Sequence, residues 1–178
     1  VRGDLAELVA GGGILKVRGV GKKTASVLEE LAAGGRPRAL VEAEEKVPPG
    51  VRATSDLSEA LDGRELVICA LPSHGVRDVM GRAARHLSPE AILVSTVKGI
   101  EVGTWMRMDQ VLEEVLAPIH HPRLVFLSGP SFAREIADGK PTAVTLACGV
   151  ESYAISVQQS ISNAWFRCYT HTDVVATE

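Results

Sequence analysis

Lys98 stands directly after an apolar run, 91-AILVSTV-97, and directly before Gly99. A lysine in that place carries a positive charge over the end of a strand, where it can hold a phosphate or polarise a carbonyl. A solvated lysine at a strand end is the ordinary alternative. A second stretch, 128-SGPSFA-133, also follows an apolar run. Ser131 is placed there to cap the next helix, whose first N–H groups attract anions. An ordinary N-cap with no ligand has the same spacing. A third stretch, Leu71-Pro72-Ser73, ends the run 65-ELVICAL-71. Near the front, Gly19-Val20-Gly21-Lys22-Lys23 lies inside 14-ILKVRGVGKKTASVLEELAAGG-35. Such a turn presents N–H groups to the phosphates of a dinucleotide or to a DNA backbone. The bland reading is a helix cap with its lysines on a solvated face.

Other reactive residue types are read as structural. His120-His121 precede Pro122 without a carboxylate at ligand spacing, so a surface loop is expected and no metal. Asp109, Glu113 and Glu114 are expected on a solvated helix face, and Trp105 and Trp165 as packing residues. His74 falls in the loop after Pro72-Ser73. Cys69, Cys148 and Cys168 have no metal spacing and read as buried, reduced thiols.

These residues need a frame. The 178 residues are 46% hydrophobic but only 4% aromatic, so the core must be aliphatic. A net charge of −3 argues against attraction of the whole chain to nucleic acid. Lys16, Arg18, Lys22 and Lys23 still make a local basic patch. No apolar run approaches the ~18 residues of a membrane span, and no signal-peptide core is seen. A cytoplasmic protein is expected. The first residue is Val, which suggests a fragment, although removal of an initiating Met would look the same.

Helices are expected over residues 4–10, 24–33 and 37–46, before a breaker at Val47-Pro48-Pro49-Gly50. A boundary is set there. Beyond it, strands are expected at 65–71, 91–97, 124–127, 142–147 and 166–170, and helices at 56–61, 73–87, 106–116, 131–137 and 151–162. Strands that are apolar throughout and alternate with amphipathic helices imply an α/β fold with a parallel sheet covered on both faces. Ligands of such sheets bind beyond the carboxyl ends of the strands. The loops at residues 71–73, 97–99 and 128–131 all fall there.

The segments 51-VRATSDLSEAL-61, 66-LVICALPSHGVRDVM-80, 94-VSTVKGIEVGTWMRMDQVLEEVL-116, 127-LSGPSFAREIADGKPTAV-144 and 167-RCYTHTDVVATE-178 resemble bacterial NAD(P)-dependent sn-glycerol-3-phosphate dehydrogenase. GPSFA followed by P-T-A-V carries the most weight. The resemblance covers about residues 47–178 and implies an incomplete Rossmann-like domain binding NAD or NADP. It implies a substrate pair of dihydroxyacetone phosphate and glycerol 3-phosphate. Lys98 would touch cofactor and substrate. Gly129 and Ser131 would line the substrate site. Pro72, Ser73 and Ala133 would face the cofactor.

Two departures from that family shape the expectation. Its opening strand and G-x-G-x-x-G turn are not matched, since Thr24 stands where the third glycine belongs. Its helical domain, with the proton-transfer lysine, would follow Glu178. The catalytic set is therefore expected to be incomplete and the chain inactive alone. Residues 4–50 resemble instead the helix-hairpin-helix region of family-X DNA polymerases. Gly19 and Gly21 would form its turn, with Lys22 and Lys23 on a DNA phosphate. The expected whole is a small helical hairpin segment, residues 1–47, ahead of a partial doubly wound sheet of about five strands. A chimera is one explanation. Self-association into a homo-oligomer stays open.

Overall fold

A computed structural model describes residues 50–177. The chain divides between Ala53 and Thr54, and the second unit holds every helix and strand among the described residues. Its first half runs α1 (Leu57–Leu61), β1 (Leu66–Cys69), a 3-10 turn (Ser73–Gly75), α2 (Val76–Ala83), a second 3-10 turn (Ala84–His86) and β2 (Ile92–Ser95). Then come α3 (Met108–Val115), a 3-10 stretch (Pro118–Arg123), β3 (Leu124–Ser128) and α4 (Ala133–Ala137). The unit closes with β4 (Thr142–Ala147), α5 (Glu151–Ile161), β5 (Phe166–His171) and α6 (Val174–Thr177).

The strands form one five-stranded sheet in sequential order, β1-β2-β3-β4-β5. The α/β, Rossmann-like class expected from the sequence is what is found. One direction differs. β1, β2 and β3 are parallel, with Val67 beside Leu93 and Val94 beside Val125. β4 runs antiparallel to β3, with Ser128 opposite Thr145, and β5 is parallel to β4. The cause lies in the connections. A parallel return needs a crossover packed on the sheet. α5 packs that way between β4 and β5, but all five residues of α4 are exposed. The chain therefore re-enters the sheet at the edge where it left.

Alternation along the strands supplies two apolar faces. Cys69, Leu93 and Phe126 face one side, where Val76, Met80 and Ala83 of α2 and Met108, Val111 and Leu112 of α3 cover them. In α3 these positions are i, i+3 and i+4, one stripe of a helix. Val94, Val125, Leu127, Val144, Leu146 and Cys168 face the other side, against Ala154 and Val157 of α5. Burying each such large side chain contributes about 1.5–3 kcal/mol. Ile68 of β1 points to that second side and is 55% exposed, because no described helix covers it there. Cys69, Cys148 and Cys168 are buried free thiols, and burial pushes each of them up.

Several side chains differ from expectation. His120 is buried in the 3-10 stretch rather than set in a surface loop. Burial pushes it below the usual histidine range, and the nearby charge of Arg123 adds to this. His121 sits half-buried, with Nε2 3.1 Å from the Leu116 carbonyl oxygen. Asp109 is buried and paired with Arg107 at 2.7 Å, whereas Glu113 and Glu114 are exposed as expected, Glu114 while holding Arg77. Trp105 and Trp165 are 72% and 61% exposed, so neither is a core residue. Among the described residues no helix is long and apolar enough to cross a membrane, and no cluster of three or more metal-binding side chains occurs.

Candidate functional site

Because β1, β2 and β3 are parallel, the segments that follow them leave at one edge of the sheet. Those segments carry Pro72-Ser73, Lys98-Gly99 and Gly129-Pro130-Ser131. Lys98 reaches across to β3. Its Nζ donates to the Leu127 carbonyl oxygen at 3.1 Å and lies 3.5 Å from the Ser128 hydroxyl. The residue as a whole is exposed, but its ammonium end is held against the end of β3. Burial therefore pushes Lys98 below the usual lysine range. A neutral carbonyl and a hydroxyl do not cancel its charge, so an incoming anion meets a cation already held in place.

Gly99, with φ +95, brings this loop beside the first one. A Cβ on Gly99 would lie 4.0 Å from the Ser73 hydroxyl. The helix expected over 73–87 does not begin as an α-helix at Ser73. Ser73 opens the 3-10 turn instead, behind Pro72, and Gly75 precedes α2 without a side-chain cap. Pro72 is exposed and Ser73 half-buried.

Gly129 has φ +146 and lies against β4. A Cβ there would be 3.0 Å from the Ala143 carbonyl oxygen and 3.1 Å from the Val144 Cα. The glycine thus lets the loop lie directly on the neighbouring strand. Ser131 does not cap α4 as expected. Phe132 holds the N-cap position, and the Ser131 hydroxyl donates to the Gly129 carbonyl oxygen at 3.2 Å. A serine in a turn can satisfy a nearby backbone group in this way instead of the helix end. Ala133 begins α4 and is exposed. Beside Gly129 a cleft of about 340 Å³ is lined by Ser128, Thr145, His171, Ala176 and Thr177 as well. A cleft of about 390 Å³ elsewhere is lined by Ser58, Glu59, Asp62, Arg85 and His86. Its acids and bases oppose one another, so it offers no single sign of charge to a ligand.

The structure thus brings Lys98 to Ser128, Gly99 to Ser73 and Ser131 to Gly129. It also shows a pair that no motif announced. Arg77 and Glu101, 24 residues apart, bond at 2.8 Å between two of these segments. Sequence spacing could not join them, although Glu101 falls three positions after Lys98.

A family model described as the NAD-dependent glycerol-3-phosphate dehydrogenase N-terminus matches residues 17–154. A glycerol-3-phosphate dehydrogenase (NAD(P)+) of Koribacter versatilis is 45% identical over 135 residues, 76% of this chain and 40% of the relative. One from Anaeromyxobacter sp. is 42% identical over 174 residues, 98% of this chain and 52% of the relative. The chain thus spans about half or less of the length of these relatives. A crystal structure of glycerol-3-phosphate dehydrogenase from Coxiella burnetii has TM-score 0.61 and 26% identity, over 71% of this chain and 38% of that one. One from Plasmodium falciparum, at TM-score 0.64 and 18% identity, shows the fold alone.

The helix-hairpin-helix resemblance finds no support here. Its residues Gly19, Gly21, Lys22 and Lys23 lie outside the described residues, and the family match runs straight through them. Nor does a chimera find support, since the Anaeromyxobacter relative aligns across the suspected join. Matched over well more than half of its length, the chain belongs to the family of the NAD-dependent glycerol-3-phosphate dehydrogenase N-terminus.

Proposed function

We propose that this chain is the nucleotide-binding half of a glycerol-3-phosphate dehydrogenase, taking NAD or NADP at the carboxyl edge of β1, β2 and β3. In the whole protein the reaction is reduction of dihydroxyacetone phosphate to sn-glycerol 3-phosphate. The observation that carries this reading is the Lys98 ammonium, held on the Leu127 carbonyl oxygen beside Gly129. A cation at a strand-end edge suits both a phosphorylated substrate and a dinucleotide. The residues present fit such a cofactor. Gly99 brings the Lys98 loop close to Ser73, which sets a cation and a hydroxyl on one edge.

A bound nicotinamide would supply the hydride for the substrate carbonyl carbon. The chain's own residues bind and orient. Lys98 holds the substrate's negative charge or its carbonyl oxygen and touches the cofactor. Gly129 and Ser131 line the substrate side. Pro72, Ser73 and Ala133 line the cofactor side.

Titration of the purified chain with NADH tests this, read by tryptophan fluorescence. Trp105 and Trp165 are exposed and serve as reporters. Saturation in the micromolar range is expected, and Lys98→Met should weaken it about tenfold, the loss of one charge-assisted contact. A parent chain that shows no saturation up to millimolar NADH would refute the reading.

A further inference from the structure

We propose that Arg77 and Glu101 are positioning residues, an ion-paired brace that holds Lys98 in place against β3. Arg77 belongs to α2, the element after Pro72-Ser73, and Glu101 follows Lys98 by three positions. The brace therefore ties together two of the segments that build the edge. Its geometry is fork on fork. Arg77 Nε donates to Glu101 Oε1 at 2.8 Å and Nη2 donates to Oε2 at 2.9 Å. Nη1 donates to Glu114 Oε2 of α3 at 2.8 Å. The Glu101 side chain is only 12% exposed, unlike a surface pair free to swing.

The loop itself needs such a tie. Gly99, Gly103 and Trp105 all have left-handed φ, at +95, +98 and +60. A tryptophan keeps that conformation only where its surroundings impose it. Thr104 donates its hydroxyl to Glu101, and the Glu101 N–H donates to the Met106 carbonyl oxygen at 2.9 Å. The loop is thus folded around Glu101, and Arg77 fixes Glu101 to α2. Lys98 sits at the start of this loop, so its reach to Leu127 depends on where Glu101 is held.

This inference rests on the proposed function for what Lys98 binds, but its first test needs no ligand. In the full chain, acetic anhydride labelling of Lys98 is followed against pH by mass spectrometry. Severing the brace by Arg77→Met or Glu101→Gln should move the midpoint up toward that of an ordinary lysine, as Lys98 regains water. Glu114→Gln should leave it in place. An unmoved midpoint in folded Arg77→Met, or an equal shift in Glu114→Gln, overturns the proposal. If Arg77→Met does not fold, Glu101→Gln decides in the same way. A second test is a cycle of NADH dissociation constants. Arg77→Met should weaken binding about fivefold in the parent and add nothing in a Lys98→Met background. An undiminished effect in that background overturns the brace. A parent that binds no NADH defeats the proposed function, and the labelling midpoint alone then judges the brace.

Discussion

A Cβ built on Gly129 meets the backbone of β4 at 3.0–3.1 Å, and backbone atoms there have little freedom to give way. The φ of +146 adds strain for any L side chain. Gly129→Ala should therefore cost about 1–3 kcal/mol, visible as a lower melting temperature. An unchanged melting temperature would mean the contact relaxes. Glu101 makes a second prediction at this scale. Hydrogen bonds from Arg77 and Thr104 pull its carboxyl down to about 2. A carboxyl depressed in the folded state contributes stability that is fully present above its unfolded value, about 4.3. That stability is lost as pH falls through about 2. Arg77→Met removes the main cause, so its acid unfolding, followed by circular dichroism, should begin at higher pH than in the parent. Coincident acid transitions would contradict this. For the candidate site, the strand-end placement of Lys98 and Gly129 was legible because their loops follow apolar runs. The turn bond of Ser131 and the Arg77–Glu101 pair were not, because a hydroxyl's choice of partner and a contact across 24 residues leave no periodic trace.

Among the elements, α3 carries much of the packing on its face of the sheet. Met108, Val111 and Leu112 are all fully buried. Leu112→Ala should cost about 2–5 kcal/mol by removing transfer energy and leaving a cavity. Urea unfolding would measure it, and a loss below that range would mean that α2 and α3 close the gap. Strand positions were readable because fully buried strands show as continuous apolar runs. β4 was expected at 142–147 and spans Thr142–Ala147. Its direction was not readable, since apolar periodicity is the same in either sense. Helix α3 starts at Met108 rather than at 106, because residues just before it close the loop around Glu101. The burial of His120 and Asp109 was hidden for a related reason. Both are polar side chains enclosed by tertiary neighbours, and Asp109 is partnered by Arg107.

For the molecule as a whole, the NADH titration decides whether the edge acts as a cofactor site. The sheet order carries a different consequence. Among the described residues, every strand bonds only to the strands just before and after it in sequence. No strand has to be threaded between two that are already paired. Contacts between sequence neighbours close short loops, which favours rapid folding. On the ribosome, β2 can add to β1, and β3 to β2, as each leaves the exit tunnel. From β1 to β5, these strands can be joined by strand-by-strand growth at one border of the sheet.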